Sequence, residues 1–570
     1  MKQFGFTSIL GSEHTNVSNI NFQYKKKIEN KGLKSYSHLI PQLGEDKLFY
    51  EDENYTVVLD GVVLNRLSFM RPGLTWADTV ILLYQERGDL FFEEWRGSFG
   101  GFIYDKKRCR YLIFSDQTGS KFIYYSFLGN NLMISTIIAN LYALREDNGF
   151  SNNLCETGAF MMLTFGYMLG GYTLCQDIKK LEPGYYAVFE SGTLKTQRYC
   201  LLDNTTDNSI TEKDAIEIFD KEFVHAIQLE FDHEKECGVK QHIVSLSAGL
   251  DSRMVSWVAH ELGYTNQLNI TFSQSDYWDE FIPKRIARDL KHEWLYKALD
   301  DGKWLYDIDD VLDVTGGNVT YSLQAHVSSL LKYLNTECFG MLHSGNLGDV
   351  VFSQFTLNKN ISDKYIFGNG AFSQKYLHML DSSITEDFPN DEIANFYHRG
   401  FSGNNNGSMI EMPYVENVSA FTNWDLMNKV LKVPLHIRQN HNLYKKWILK
   451  KHIGAANYEW EKMGAKITTP TFRFMGKNRT AKQWLDIVWS RIGSPLRGID
   501  SKNHMNPIGY YLNNDKDLQS FLKSQIEKAS IINNKSIREA VEDLFNTGTA
   551  LEKTQAITLV AAVNKFNLKG

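Results

Sequence analysis

The hydrophobic rhythm of the chain changes about a third of the way along. Before that point, short apolar runs at 55–59, 101–104, 111–114 and 185–189, rich in β-branched and aromatic residues, stand between turn residues. Such runs predict strands, and their close succession predicts a largely antiparallel sheet region. The cluster Leu201-Leu-Asp-Asn-Thr-Thr-Asp-Asn-Ser209 then carries loop chemistry. Thr211-Glu-Lys-Asp214 follows as a capping box with Asp in the place of Glu, and 215–229 has helical periodicity. Further on, strand-like runs alternate with longer helical patterns, which predicts a parallel α/β core. Beyond Pro434 the pattern is mainly helical. The run Gly403-Asn-Asn-Asn-Gly-Ser408 reads as a turn or mobile loop, and the apolar stretch 551–563 as a buried C-terminal helix. The expected division is 1–205, antiparallel and β-rich, and 206–570, α/β with a helical C-terminal part.

Composition supports that picture. The chain has 570 residues, too many for one hydrophobic core, and 43% of them are hydrophobic, ample for burial. The net charge is −6 and there is no basic block, which argues against nucleic acid as a partner. The short groups Lys25–Lys27 and Lys445–Lys446 read as solvated surface. Six cysteines are scattered without a C-x-x-C pair, so they read as reduced thiols rather than a disulfide framework or zinc site. No signal peptide opens the sequence and no run reaches the length of a spanning helix, so the expectation is a cytoplasmic protein without a membrane partner.

The strongest chemical signal is Ser245-Leu-Ser-Ala-Gly-Leu-Asp-Ser252, which follows the β-type run His242-Ile-Val244 and precedes helical periodicity. Ser247, Ala248 and Gly249 let the backbone approach phosphate oxygens, and the next helix offers free N–H groups at its positive end. Asp251 supplies a carboxylate for a magnesium ion bridging phosphates. The Gly-Lys-Ser/Thr ending of a P-loop is absent, so this is a different phosphate cradle. A second small-residue loop, Ser344-Gly-Asn-Leu-Gly-Asp349, follows another strand-like run. Gly345 and Gly348 allow close approach there, and Asp349 is a second carboxylate for the same metal. Ser245, Ser247, Gly249, Asp251, Ser252 and Gly345 thus form the candidate nucleotide site, with Phe272 at the end of the intervening strand 269–272; Asp251 and Asp349 are the candidate metal ligands.

The two loops together resemble the synthetase domain of the asparagine synthetase family, whose loops read S-G-G-L-D-S and S-G-E-G-S-D. The N-terminal third extends the resemblance: Val57–Asn65 is similar to the family's "NGEIYN" strand, Arg96–Asp105 to the strand after its helix, Ser115–Lys121 to "RDxxGxxP", and Gly166-Tyr167 with Lys180–Gly184 to "GY…LPPG". The likeness spans roughly residues 1–470. It implies a class II glutamine-amidotransferase-like (Ntn-type) domain followed by an ATP-pyrophosphatase-type synthetase domain. ATP and Mg2+ are the implied cofactors, and the implied chemistry is adenylation of a carboxylate with release of pyrophosphate, then amide formation with an amine or ammonia. The family's lysine near the α-phosphate corresponds to Lys462 or Lys466; the reading favours Lys466, in the constrained run Ala465-Lys-Ile-Thr-Thr-Pro470, with Lys462 on the polar face of a helix.

Departures from the family pattern shape the functional expectation. The family's glutaminases use an N-terminal cysteine, whereas this sequence opens Met1-Lys2-Gln3-Phe4 and its first cysteine is Cys109. Asp60-Gly61 stands in the oxyanion region, where a carboxylate opposes a developing oxyanion. No glutamine pocket is recognisable around Tyr36–Gln42. The first domain is therefore expected to be a scaffold without glutaminase activity. Asn346 stands where aminating members have a glutamate that helps deprotonate the nitrogen. Glu337, Asp313, His326 and His343 are unranked alternatives for a base. The expected function is an AMP-forming carbon–nitrogen ligase acting on a small-molecule, glycan or peptide carboxylate, with ring closure within the substrate as one option. The alternative is a catalytically impaired ATP-binding regulatory homologue. The substrate and the oligomeric state are not legible.

Overall fold

The computed structural model describes residues 4–570 except 12–16, 18–23, 357–359, 386–387, 475–476, 481–483 and 485–500. The N-terminal strands are β1 (Phe6–Leu10), β2 (Lys26–Asn30), β3 (Leu33–Ser37), β4 (Leu48–Glu51), β5 (Tyr55–Val63), β6 (Gly97–Asp105), β7 (Arg110–Ser115), β8 (Tyr124–Leu128), β9 (Asn131–Ser135), β10 (Ile178–Lys180), β11 (Tyr185–Glu190) and β12 (Thr193–Arg198). They form two six-stranded antiparallel sheets, ordered β10-β8-β9-β1-β3-β2 and β12-β11-β7-β6-β5-β4. All four strand-like runs of the first third fall inside β5, β6, β7 and β11.

Period-two alternation decides which layer each side chain joins. Val58 and Phe102 point toward Phe6, Leu10, Leu132 and Ile134 of the other sheet, closing a core between the sheets. Their neighbours Val57, Leu59 and Ile103 face outward, onto Trp76 and Val80 of helix α1 (Trp76–Arg87). The outer face of the other sheet packs Ile9, Tyr124 and Met133 against α2 (Ile138–Asp147) and α3 (Glu156–Phe165). The result is two stacked sheets between two helical layers.

Helix α4 (Glu212–Glu236) begins at the anticipated capping box: Thr211 accepts from Asp214 N, and the Asp214 carboxylate accepts from Thr211 N. It leads into a five-stranded parallel sheet ordered β15-β14-β13-β16-β17, made of β13 (His242–Ser245), β14 (Gln267–Ser273), β15 (Glu293–Ala298), β16 (Met341–His343) and β17 (Glu416–Val418). Helices α5 (Asp251–Glu261) and α6 (Trp278–Leu290) provide its first crossovers. The chain adds β14 and β15 on one side of β13, then β16 and β17 on the other. The order thus reverses between β13 and β16, and the crevice at such a switch point is where open parallel sheets bind ligands.

Two expectations are corrected. The run 403–408, expected as a turn or mobile loop, lies in the helical turns Phe396–Asn404 and Asn405–Glu411, with Asn405 and Asn406 buried and Asn404 exposed. The two buried side chains find protein partners, Asn405 Nδ2 donating to Thr118 O at 3.0 Å and Asn406 to Ser402 O. The segment 458–470 carries no helical face for Lys462, because Glu459–Trp460 and Ala465–Lys466 pair as a short antiparallel hairpin. The C-terminal helix Ala550–Lys565 is buried as anticipated, its Gln555 Nε2 donating to Met162 O of α3 at 2.8 Å. Among the described residues no helix is long and apolar enough to cross a membrane.

Candidate active site

The loop after β13 is held by its own side chains. Ser252 Oγ accepts from Ser247 N at 2.9 Å and lies 2.9 Å from Ser247 Oγ, which in turn accepts from Gly249 N at 3.2 Å. Ala248 N donates to Asp279 of α6 at 2.6 Å. Burial, then the charge of Glu461, raises the Asp279 carboxyl to about 7 against the amide that lowers it. The fully buried Arg253 fastens the loop from beneath: Nη2 reaches Ala248 O at 3.0 Å and Glu459 O at 2.6 Å, and Nη1 reaches Ala455 O at 3.2 Å. One guanidinium thus ties the cradle to the hairpin segment. Ser245 Oγ donates to His343 O at 3.2 Å, linking the ends of β13 and β16.

The second loop lies directly on the first. A Cβ on Gly345 would fall 2.4 Å from Ser252 N, and one on Gly348 would fall 2.4 Å from Asp251 Cγ, so only glycine permits this approach. Asp349 N then donates to Asp251 Oδ2 at 3.2 Å. Asp251 Oδ1 is buried and makes no hydrogen bond of good geometry, while the Tyr444 hydroxyl faces the same carboxylate. Burial and the neighbouring Asp349 charge push the Asp251 carboxyl well above the carboxylate range. Asp349 is also desolvated, but His441 and Lys462 outweigh that and hold its carboxyl low. His441 Nε2 lies 2.9 Å from Asp349 Oδ1, and Lys462 Nζ pairs with Oδ2.

The structure therefore brings together Ser245, Ser247, Gly249, Asp251, Ser252, Gly345 and Asp349. Of the two lysines it is Lys462, on the hairpin turn, that meets Asp349; the favoured Lys466 is exposed on the second hairpin strand, where its charge acts on Glu459. Asn346 turns another way, donating to Asn405 Oδ1 at 3.3 Å and accepting through its backbone O from Ser419 Oγ at 2.9 Å. Its side chain lines a cavity of about 60 Å³ between β6 and β17, which Asp251 and Asp349 do not line. Phe272 packs edge-on against His326 at 5.4 Å in the core beside β14.

The unranked bases are engaged elsewhere. His343 lies between Glu230 and Glu234, His326 is buried, Asp313 pairs with Lys565 at 2.8 Å, and Glu337 belongs to an exposed turn. Sequence reasoning missed His441, Tyr444, Arg253 and the role of Asp279. His441 had one physical signal invisible in sequence: it and Asn440 are consecutive non-glycine residues at φ 57° and 58°, a costly arrangement that places the imidazole on Asp349.

In the N-terminal region Asp60 is buried and forms an ion pair with Lys121 at 3.3 Å. Lys121 also pairs with Glu416 of β17 at 2.9 Å, and Lys47 approaches Glu416 at 2.9 Å. Asp60 is therefore part of a buried charge network linking the antiparallel and parallel sheets. Met1–Gln3, including the position of a terminal nucleophile, lie outside the described residues.

Residues 40–200 match the model of a glutamine amidotransferase domain. Two antiparallel sheets with this domain, followed by a parallel sheet with a two-loop acidic crevice, define a two-part amidotransferase-like protein. The protein assigned as asparagine synthetase (glutamine-hydrolyzing) 2 of Methanocaldococcus jannaschii is 24% identical over 377 residues, 62% of this chain and 69% of its own length. Asparagine synthetase (glutamine-hydrolyzing) 1 of Bacillus subtilis is 21% identical over 296 residues, 49% of this chain and 45% of its own. The chain is thus similar to asparagine synthetases at low identity. Among solved structures, an allosteric regulatory enzyme of purine biosynthesis superposes with a TM-score of 0.24 at 11% identity, covering 52% of this chain and 75% of its own, too weak a likeness to argue from.

Proposed function

We propose that the chain is an ATP-dependent carbon–nitrogen ligase that forms an amide and releases AMP and pyrophosphate. The observation that carries this reading is the meeting of Asp251 and Asp349, from two loops at a topological switch point, with Lys462 against Asp349. In the first step a substrate carboxylate oxygen attacks the α-phosphorus of ATP, the bond from that phosphorus to the bridging oxygen breaks, and pyrophosphate leaves. In the second step an amine or ammonia attacks the acyl carbon, loses a proton, and the carbon–oxygen bond to AMP breaks.

Loop N–H groups of Ser247 and Gly249, held by side-chain hydroxyls, exchange those partners for phosphate oxygens, and the start of α5 adds its dipole. Asp251, through its orphaned Oδ1, and Asp349 fit a divalent cation and would hold magnesium, which neutralises pyrophosphate charge. Lys462 supplies a fixed positive charge on the same side, and His441 and Tyr444 orient the two carboxylates. The β-rich N-terminal region, 1–205, acts as a scaffold for the synthetase region, 206–570, without glutaminase turnover. The Asp60–Lys121 pair supports this, because the oxyanion region holds a carboxylate already committed to a cation.

The test incubates the full chain with ATP, magnesium and panels of small, sugar-derived and peptide carboxylates, with and without amines, and measures AMP and pyrophosphate. Stoichiometric AMP and pyrophosphate with a subset of carboxylates supports the ligase. ATP binding without AMP from any panel favours the regulatory homologue instead. Glutamate release from glutamine would overturn the scaffold assignment.

A further inference from the structure

Beneath the crevice lies a cluster that the proposed reaction does not use. Glu230 and Glu234 are one turn apart on α4 and project from the same helix face. They meet His242 of β13 and His343 of β16, on adjacent parallel strands. The side chains of all four are at most 5% exposed. Glu234 Oε2 lies 2.9 Å from His343 Nε2 and also bonds His242 Nδ1. These three atoms all lie within 4.8 Å of one another.

We propose that Glu234, His242 and His343 form a structural binding site for a divalent transition-metal ion of the zinc type. Three features beyond proximity support it. The donor set is two imidazole nitrogens and one carboxylate oxygen, three of the four ligands a tetrahedral zinc site takes, with the fourth position left to Glu230 or water. The outer contacts are those of a built centre: His343 Nδ1 lies 2.8 Å from Glu230 Oε2, the carboxylate–histidine arrangement that fixes a ligating ring, and Glu234 Oε1 accepts from Met341 N. The face of His343 is further fixed by Phe231, stacked with centroids 3.9 Å apart. The third feature is charge. Among the described residues no lysine or arginine pairs with Glu230 or Glu234, so without an ion their counter-charge comes from the imidazoles, His343 facing a carboxylate with each nitrogen. One divalent ion balances both with the imidazoles neutral. Tetrahedral ligand atoms stand about 3.3 Å apart at zinc–nitrogen distances near 2.0 Å, so small rotamer shifts open the cluster to an ion.

The site would staple α4 to the two strands whose loops carry Ser247 and Ser344, using none of the six cysteines. It is independent of the magnesium carboxylates, so its fate and that of the ligase reading separate. The full chain, produced in zinc-supplemented medium and purified without chelator, is analysed for metal by mass spectrometry. A parallel batch grown with cobalt is examined for the visible d–d bands of a tetrahedral site. The expected content is about one ion per chain, falling to about a tenth or less in His242→Gln and His343→Gln and unchanged in Asp251→Asn/Asp349→Asn. Metal-free wild type without cobalt bands overturns the site, as does full metal in a folded histidine variant. If the histidine variants do not fold, wild-type metal retained by the double aspartate variant together with cobalt bands carries the assignment, and loss of metal in that variant overturns it.

Discussion

At the scale of single residues, the site divides into what lies close in sequence and what does not. The cradle serines, Asp251 and Asp349 were legible because each sits in a small-residue loop directly after an apolar strand. Between the two lysines the sequence favoured Lys466, yet it is Lys462 that meets Asp349. They are only four residues apart, and a two-residue-per-strand hairpin decides which of them turns toward Asp349. His441 left no sequence signal at all, since its placement depends on a left-handed backbone that composition does not announce. The first prediction follows: Lys462→Ala lowers AMP formation by roughly 100- to 1,000-fold while ATP affinity changes little, because a charge stabilising the departing pyrophosphate matters most in the transition state. Lys466→Ala stays within about threefold of wild type, since its charge acts on Glu459 rather than on Asp349. Steady-state AMP assays beside nucleotide-binding isotherms separate the two effects, and equal losses in both variants would reject the assignment. Asp251→Asn and Asp349→Asn are each expected to suppress AMP formation with circular dichroism unchanged; wild-type turnover in either removes that residue from the site.

At the scale of elements, alternation and capping carried most of the information. Val57 to Leu59 and Phe102 with Ile103 sort into opposite layers by parity alone, and Thr211 with Asp214 marks the start of a 25-residue helix. The 403–408 run misled because Asn405 satisfies a buried backbone carbonyl far away in sequence, a tertiary fact that local turn propensity cannot encode. The contact of the two loops is likewise tertiary, although its requirement for glycine is written in the sequence. Gly345→Ala and Gly348→Ala should therefore act as overpacking lesions, each costing about 1–3 kcal/mol in denaturant unfolding and moving Asp349 off Asp251. The expected signature is a loss of AMP formation that persists at temperatures where the variant is fully folded. Activity that returns with folding would show that the loop contact serves stability alone.

At the scale of the whole molecule, buried charges join the two halves. Glu416 faces Lys47 and Lys121, so Glu416→Gln leaves two buried ammonium groups with less counter-charge and should cost about 3 kcal/mol, read by guanidinium unfolding. A second junction joins Asp46 and Arg66 to His233 of α4, with His233 Nε2 2.6 Å from Asp46 Oδ2. Burial alone would lower the His233 imidazole, but Asp46 and then Cys237 outweigh it and raise it from 6.5 to about 10. The sign of the linkage follows: His233 contributes its full stability below about pH 6.5 and loses it progressively as pH rises through about 10. Thermal unfolding between these limits should show a decline that His233→Asn lacks, and parallel curves would reject the junction as a pH-dependent contact. The packing of the C-terminal helix on α3 has a consequence in time rather than in energy. Tyr142 stacks on Phe566 at 4.5 Å, Leu154 N donates to Lys569 O at 2.8 Å, and one continuous core holds residues from both regions. On the ribosome the outer layer of the N-terminal sheets must wait for residues made nearly four hundred positions later, roughly 20–80 s at about 5–20 residues per second. For that interval α3 shows an uncovered apolar face to the cell, so this chain is expected to depend on chaperone holding during its own synthesis.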